Sequence, residues 1–308
     1  MLVLITGGTG LVGSRLTAFL RERGDTVRIL SRTRRLDAPV PAFGWDIEAK
    51  TIDADALEGV DAVIHLAGTG IADKAWTAAR KRDILESRTH STQLLCTALE
   101  ARKAAGKPLP RVFVSASAIG LYGDTGSSEI DETAPAGKGF MPDVCAAWER
   151  EIFALAAATH IRTVALRIGI VLSTRGGALE QMLPSYRFGI GSYFGDGRGY
   201  MSWIHIDDLC RMFLAAIDNS TWESVYNAVA PHPLTGREMG RAVGIGAGKP
   251  KAVLLPAPAF ALHLALGEMA AVVLNSNRVV AKRATEAGFT WLFEDAGAAV
   301  ADVVKRGI

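Results

Sequence analysis

The chain has 308 residues, of which 49% are hydrophobic and 21% are charged, and its formal net charge is +2. Such a chain can bury a large core, with room for one domain and a second lobe. A charge this close to zero gives no reason to expect nucleic acid or an anionic membrane as the main partner. The cysteines, Cys96, Cys145 and Cys210, lie far apart. This spacing indicates no disulfide framework and favours a reducing, cytoplasmic compartment.

The N-terminal stretch combines an apolar run with regularly spaced glycines. Residues 2–5 predict a buried parallel strand, so close to the start that no signal peptide is expected. Gly7, Gly10 and Gly13 follow, and a helical pattern begins at Leu11. In this order the glycines suit a tight turn, a close approach of backbone to a pyrophosphate and close helix–strand packing. A helix N-terminus also offers free N–H groups to phosphates, so the stretch predicts a dinucleotide site.

Strands and helices are then predicted to alternate as far as residue 170. They are a helix over residues 11–23, strands over 26–30, 42–45 and 61–66, a helix over about 76–104, a strand over 111–115, a helix over about 142–159 and a strand over 161–168. Such alternation predicts the α/β class, with a Rossmann-like, doubly wound parallel sheet.

This alternation ends after residue 170, where glycines become frequent. Short strands are predicted at residues 201–204, 225–227 and 289–291, with a helix over about 207–218. We therefore expect a nucleotide-binding domain over residues 1–170, with sheet elements continuing to about 230. A smaller, mostly helical C-terminal α/β lobe over residues 171–308 would be interleaved with it on the substrate side.

One apolar segment, residues 253–274, is long enough to cross a bilayer. It contains Pro256, Pro258, His263 and Glu268, and a charge in the hydrocarbon core is costly. The segment is therefore interpreted as a strand end followed by an apolar packing helix, without stable membrane insertion.

The end of the second predicted strand indicates which dinucleotide is bound. An acidic residue usually stands there to hold the ribose hydroxyls of NAD. Here the position carries Ser31 and Arg32, while Asp25 precedes the strand. An arginine fork suits a 2′-phosphate, so the expected cofactor is NADP(H). A solvated basic loop is the alternative, because Arg34 and Arg35 also lie there.

With these residues in place, the chain resembles the short-chain dehydrogenase/reductase superfamily, in its extended, sugar-nucleotide-epimerase-like branch. The matching segments are residues 6–13, 65–68, 114–123, 167–172, 194–197 and 203–209. More narrowly, it is similar to an atypical epimerase-like subgroup with a Trp76-Thr77 pair, Ser87-Arg88 and a C-terminal region of unknown function, matched at residues 258–268 and 282–289. This subgroup has Cys-x-x-x-Glu where its relatives have Tyr-x-x-x-Lys.

The resemblance implies cofactor contacts along the carboxyl ends of the strands. Residues 9–12 would lie against the pyrophosphate, and the segment from Arg167 to Val171 would border the nicotinamide. The full set of expected cofactor-binding residues is Gly7, Thr9, Gly10, Leu11, Val12, Gly13, Ser31, Arg32, Leu66, Ala67, Gly68, Arg88, Ser115, Arg167 and Val171. No cluster has metal-ligand spacing, so no metal is expected.

The proton-transfer pair of the superfamily is missing. Cys145 and Glu149 stand in its place, on one face of a predicted helix, and Ser117 matches the serine that orients the substrate. Three interpretations stay open: a replacement pair of Cys145 and Glu149, a proton supplied by Tyr122 or another group, or cofactor binding without redox chemistry. A neighbouring glutamate would raise the pKa of a thiol, and a buried core cysteine is an equally fitting interpretation.

Two further expectations concern the C-terminal half. His205 is expected to be packed structurally, with Asp207 as the N-cap of the following helix. Arg175 and Arg198 are candidates for holding an anionic substrate, or belong to a flexible basic loop.

The function expected from these observations is that of an NADP(H)-dependent oxidoreductase or epimerase-like enzyme acting on a small polar, or nucleotide-linked, substrate. The alternative is a catalytically silent NADP(H)-binding regulatory or interaction protein, since some relatives in the subgroup carry names that imply a role in cell division. The sequence leaves open whether the chain is a monomer or a homodimer.

Overall fold

The computed structural model describes all residues from Met1 to Ile308. The strands are β1 (Leu2–Thr6), β2 (Thr26–Ser31), β3 (Ala42–Asp46), β4 (Thr51–Ile52), β5 (Ala62–His65), β6 (Val112–Ala118), β7 (Glu129–Ile130), β8 (Arg162–Ile168), β9 (Ile170–Leu172), β10 (Ile190–Phe194), β11 (Tyr200–Met201), β12 (Trp203–His205), β13 (Ser224–Ala228), β14 (Leu234–Thr235), β15 (Val253–Ala257) and β16 (Arg278–Val279). The α-helices are α1 (Leu11–Glu22), α2 (Ala78–Ala104), α3 (Phe140–Thr159), α4 (Gly177–Tyr186), α5 (Ile206–Asp218), α6 (Gly236–Gly246), α7 (Ala259–Leu266), α8 (Ala270–Leu274), α9 (Lys282–Glu286) and α10 (Ala296–Arg306). Short 3-10 helices lie at Ala54–Leu57, Ile119–Tyr122 and Gly267–Met269.

A single large sheet organises the molecule. Its strand order is β13-β8-β6-β5-β1-β2-β3-β4, and all neighbours are parallel except β3 and β4. From β1 the chain proceeds outwards to β4, then returns to β5 and continues to the other edge. Such a reversal opens a crevice at the carboxyl ends of the central strands. The prediction of a Rossmann-like, doubly wound sheet is confirmed.

Helices cover both faces of the sheet. The crossovers from β1 to β2 and from β5 to β6 run in opposite directions from the reversal, so with the usual right-handed connection α1 and α2 lie on opposite faces. α2 packs along α3 on one face, and α1 packs along α5 on the other. The resulting core contains 47 buried hydrophobic residues, among them Val3, Leu4 and Ile5, which are fully inaccessible. Burial on both faces explains why residues 2–5 of β1 are a continuous apolar run.

A second, smaller core lies in the C-terminal part of the chain. It contains 13 buried hydrophobic residues between Leu172 and Val303. Here α6 packs against α10 and against β10, which pairs with β15. The lobe therefore has its own hydrophobic core beside the sheet.

Three expectations are wrong. Residues 289–291 form no strand: Phe289 and Trp291 are half-buried against the main core and meet edge to face, at 5.1 Å between ring centroids, without backbone pairing to a neighbouring strand. The packing helix expected within residues 253–274 buries no side chain over α7, where Phe260 and Leu264 are 76% and 88% exposed. Its main contacts are with α8 and the adjoining 3-10 helix, and none of its residues belongs to either hydrophobic core.

The third correction concerns the start of α5. The N-cap is His205, whose ring Nδ1 accepts the backbone N–H of Asp207 at 3.0 Å. Asp207 instead forms ion pairs with Arg15 and Arg306. His205 is fully buried against Phe293, as expected of a packed histidine. No helix in the chain has both the length and the hydropathy that crossing a membrane requires.

Candidate functional site

The turn after β1 has space for glycine and for little else. Gly7 has φ +66°, and a Cβ there would lie 2.8 Å from the carbonyl oxygen of Leu66. A Cβ on Gly13 would lie 2.3 Å from the carbonyl oxygen of Gly7. Both distances are shorter than a van der Waals contact, so any side chain would push the turn away from β5 or from its own helix. The spacing read from the sequence therefore corresponds to real close approaches.

The first turn of α1 has free backbone donors. Gly10 is the N-cap and contributes no side-chain hydrogen bond, and no acidic residue stands in the first turn. Thr9 and Gly10 are exposed, while Leu11 and Val12 are half-buried. Unsatisfied N–H groups together with the positive end of the helix dipole suit an anion such as a diphosphate. The residues present thus fit the phosphates of a dinucleotide.

A buried histidine fixes the loop after β5 to the end of β1. The Thr6 hydroxyl accepts the N–H groups of Leu66 and Ala67, both at 3.1 Å, and lies 2.7 Å from Nδ1 of His65. His65 Nε2 lies 3.1 Å from the Thr92 hydroxyl on α2. Burial, and secondarily the charge of Arg88, lowers the pKa of His65 to about 3. A neutral ring that accepts at Nδ1 and donates at Nε2 satisfies every partner, so residues 66–68 are held rigidly.

Arg32 follows directly after β2, at the edge of the same crevice. It is exposed and forms no ion pair, whereas the nearby Arg34 donates to Asp53 at 2.9 Å. The glycine turn lies against β2, because a Cβ on Gly8 would meet the Ile29 side chain at 2.8 Å. The guanidinium of Arg32 is therefore available beside the turn. The hydroxyl of Ser31 accepts the N–H of Thr33 at 3.2 Å.

The candidate catalytic positions meet in a buried ion pair. Glu149 accepts from Arg167 Nε and Nη2, one bond to each carboxylate oxygen and both at 2.8 Å. The Ser117 hydroxyl donates to the same carboxylate at 2.7 Å. These side chains are almost inaccessible, with Ser117 2% exposed, Arg167 7% and Glu149 8%. A bidentate pair of this kind holds both partners in one geometry.

Tyr122 joins this network at its far end. Its hydroxyl accepts from Arg167 Nη1 at 2.8 Å and donates to Asn227 Oδ1 at 2.7 Å. Asn227 is in turn held by Glu132, whose carboxylate accepts the Asn227 backbone N–H at 2.9 Å. Burial raises the pKa of Tyr122 despite the neighbouring Arg167. The phenol is therefore protonated at neutral pH, with its proton already in a hydrogen bond.

Cys145 lies next to this network, close enough for the charges of Glu149 and Arg167 to act on its thiol. It is 1% exposed, and a Cβ on Gly120 would lie 3.8 Å from its sulfur. Burial, and then the carboxylate of Glu149, raises the pKa of the Cys145 thiol to about 12. Only a thiolate is a good nucleophile or base, so the thiol is inert at neutral pH.

The other expected contacts are spread along the same edge of the sheet. Ser115 is fully buried and its hydroxyl donates to the Ala116 carbonyl at 2.9 Å. Val171 is half-buried in β9, opposite Ile204 of β12. Arg88 lies against Gly68, where a Cβ would be 3.2 Å from its guanidinium carbon.

Two members of the buried network, Glu132 and Asn227, do not appear among the expected site residues. Asn227 lies beside Arg167 because β13 pairs with β8 in that register, which in turn pairs Arg167 with Ser117 of β6. A strand was predicted at residues 225–227, but its neighbour in the sheet was not. An asparagine inside an apolar strand was the one available signal, since a buried amide requires partners.

The chain matches known families over most of its length. Residues 3–228 match the NAD dependent epimerase/dehydratase family, and residues 257–303 match a domain of unknown function (DUF1731). The epimerase family protein SDR39U1 homolog, chloroplastic, of Arabidopsis thaliana is 35% identical over 298 residues, which cover 96% of this chain and 84% of the relative. The epimerase-like resemblance noted from the motifs is thereby confirmed.

Solved structures give the same result. The human epimerase family protein SDR39U1, crystallised with NADPH, has a TM-score of 0.86 at 30% identity, over 99% of both chains. The UDP-N-acetylglucosamine 4-epimerase of Bacillus cereus has a TM-score of 0.80 at 17% identity, over 100% of this chain and 99% of that chain. The second likeness is one of fold alone.

Proposed function

The chain belongs to the NAD-dependent epimerase/dehydratase family, and on that premise we propose that it binds NADP(H) in the crevice at the carboxyl ends of β1, β2 and β5. The free N–H groups of Thr9, Leu11 and Val12 would hold the diphosphate, while that of Gly10 closes the turn onto the carbonyl of Gly7 at 3.0 Å. Gly7 and Gly13 give the backbone the room for it, and residues 66–68, fixed through His65, would line the opposite wall. The human relative solved with NADPH supports this assignment.

The observation that carries the choice of NADP(H) over NAD(H) is the free guanidinium of Arg32. It follows directly after β2 and has no acidic partner, while no carboxylate stands at the strand end to hold ribose hydroxyls. An exposed, uncompensated arginine at this position suits a 2′-phosphate. Ser31, at the end of the strand, would add a hydroxyl to the same group.

For the reaction, we propose hydride exchange between the nicotinamide and a small polar substrate covered by the lobe of residues 171–308. The bound cofactor supplies the hydride chemistry. The chain contributes position and charge, because Glu149 and Arg167 hold Ser117 and Tyr122 in place. The inert thiol of Cys145 and the protonated phenol of Tyr122 do not suit a proton relay at neutral pH. The hydroxyl proton released when a hydride leaves the substrate would therefore pass to water, and water would return it in the reverse reduction.

The same ion pair favours a second candidate, an NADP(H)-binding regulatory protein without turnover. In that case the network would only stabilise the domain that presents the cofactor. For either candidate, the three unpaired cysteines support a cytoplasmic location.

Transfer of a label separates the two candidates. NADPH deuterated at C4 would be incubated with the protein and a metabolite extract, and deuterium would be followed by mass spectrometry. Hydride exchange predicts deuterium in a small polar metabolite with the wild-type protein and none with a variant that does not bind cofactor. Retention of all the label on NADPH, with tight NADPH binding, would refute the enzyme and leave the regulator.

A further inference from the structure

The strand pair of β10 and β15 has one buried face and one exposed face. On the inner face, Leu254 packs against the smaller core, and a Cβ on Gly191 would lie 2.5 Å from the ring of Tyr186, a member of that core. The register sets Ile190 beside Val253, one residue before Gly191 and Leu254. Because successive side chains of a strand point to opposite faces, Ile190 and Val253 lie on the outer face.

The outer face is apolar and open to solvent. Of the twelve large hydrophobic side chains exposed in the chain, six lie on this strand pair, directly before it, or on α7, which begins two residues after β15. We call these six the apolar patch: Phe188 (83% exposed), Ile190 (43%), Val253 (62%), Leu255 (50%), Phe260 (76%) and Leu264 (88%). Exposed apolar side chains scattered singly need no explanation, but a concentration of this kind marks a contact surface.

The size of the apolar patch can be compared with that of a protein–protein interface. With about 150–200 Å² for a complete side chain, the exposed fractions leave about 700 Å² of apolar surface open to water. The largest patch on a typical monomer is about 300–600 Å². A standard interface buries about 800 Å² on each partner. The apolar patch therefore has the area that one half of a stable dimer interface needs.

The free edge of β15 is not suited to the addition of a further strand. The N–H of Val253 donates to Gly189 and the carbonyl of Ala257 accepts from Gly195, both at 2.9 Å and both towards β10. Backbone groups of alternate residues point to opposite edges, so the position of Pro256 faces the free edge. Proline has no N–H and opposes pairing at an edge strand. A partner is therefore expected on the face of the strands rather than at their edge.

The charges around the apolar patch favour one arrangement of two copies. Exposed cations precede the strands at their amino ends, namely Arg187, Lys249 and Lys251. Carboxylates follow at the carboxyl ends, where Asp196 and Glu268 are 71% and 68% exposed and lie beside Arg198 and Lys81 respectively. With the strands of two copies parallel, three cations would oppose three cations. With the strands antiparallel, the cations of one copy oppose the carboxylates of the other, which electrostatic complementarity favours.

We propose that the apolar patch is the interface of a homodimer, in which β10 and β15 of one copy pack face to face, with antiparallel strands, on those of a second copy. A two-fold axis makes the contact isologous, so the same surface is buried on both copies and the assembly closes. An anionic membrane would suit the three cations, but it would bring Asp196 and Glu268 to a surface of their own charge. The proposal is independent of cofactor binding.

Sedimentation equilibrium of the full chain tests the interface. The wild-type protein is expected to be a dimer at about 10 µM, because interfaces of this area have micromolar or lower Kd values. Phe188→Glu and Leu255→Glu should each raise the dimer Kd at least about tenfold, since each buries a charge in the contact. The two substitutions lie in different segments, so either one suffices if the other does not fold. Leu292→Glu alters a leucine that is 61% exposed outside the apolar patch, and it should leave the Kd unchanged.

Two further measurements decide the orientation and the class of partner. Lys251→Glu should raise the dimer Kd about two- to fivefold, as the loss of an exposed attraction implies, whereas a lower Kd would overturn the antiparallel arrangement. A wild-type monomer at about 10 µM, or a dimer equally tight in both patch variants, would overturn the interface. Co-sedimentation of a wild-type monomer with vesicles of phosphatidylcholine and phosphatidylglycerol would assign the apolar patch to a membrane surface and overturn the dimer as well.

Discussion

Removing Glu149 should destabilise the fold rather than merely alter chemistry. In Glu149→Ala the guanidinium of Arg167 would stay buried with both of its 2.8 Å bonds to the carboxylate lost. Removing one partner of a buried ion pair lowers the free energy of unfolding by about 3–5 kcal/mol. At about 2.1 cal/mol/K per residue, a chain of 308 residues unfolds with an entropy of about 0.65 kcal/mol/K. The expected loss in Tm is therefore about 5–8 °C.

A double-mutant cycle measured by urea unfolding tests the reasoning. Arg167→Met and Glu149→Met should each destabilise, but together by less than their sum, because the double variant leaves no unpaired charge. Glu86→Ala, an exposed glutamate on α2, should change the free energy of unfolding by less than about 0.5 kcal/mol. A loss below about 1 kcal/mol for Glu149→Ala, or additive losses in the cycle, would refute a structural ion pair.

Three further predictions concern Gly13, Cys145 and His65. Gly13→Ala should abolish measurable NADPH binding in a fluorescence titration, because the new Cβ would lie 2.3 Å from the Gly7 carbonyl oxygen and displace the phosphate-binding turn. An affinity within twofold of wild type would contradict the placement of the diphosphate at this turn. Cys145, with a thiol pKa near 12, should react with Ellman's reagent at pH 7.5 only after unfolding, so fast labelling of the native protein would count against its burial. Between pH 6.5 and pH 3 His65 binds a proton in the unfolded chain but not in the folded one, because its pKa in the folded chain is about 3. The free energy of unfolding should therefore fall by about 1.4 kcal/mol for each pH unit below 6.5. In urea titrations at several pH values, His65→Gln should make this pH dependence weaker.

The central sheet could be predicted because its physics is local. Residues 2–5 of β1 are apolar because both faces of the strand are buried. Gly13 is required by its close approach to Gly7, and Gly7 by its close approach to Leu66, directly after the neighbouring strand β5. The sequence contains no such signal for the short strand pairs. β7 and β16 pair over two residues each, far apart in the chain, and only the tertiary packing brings them together.

The candidate site shows the same division. Ser117, Cys145, Glu149 and Tyr122 could be identified as residues of interest, but not their bonding. The ion pair of Glu149 with Arg167 depends on the register that sets Arg167 beside Ser117. β6 and β8 are buried on both faces, so their sequences lack the alternation of apolar and polar residues from which a register could be predicted. The prediction that α7 packs in the core was wrong for a related reason, because an apolar helix is buried only where another element covers it.

Binding of NADPH and NADH to the wild-type protein and to Arg32→Glu, by quenching of intrinsic fluorescence, tests the central claim most directly. Arg21→Glu, the same charge change at an exposed position on α1 outside the crevice, is the matched control. Wild type and control are expected to prefer NADPH by about 10–100-fold, as one charge-assisted fork provides, and Arg32→Glu is expected to lose or reverse this preference. Equal affinity of the wild-type protein for the two cofactors, or an unchanged preference in Arg32→Glu, would contradict it.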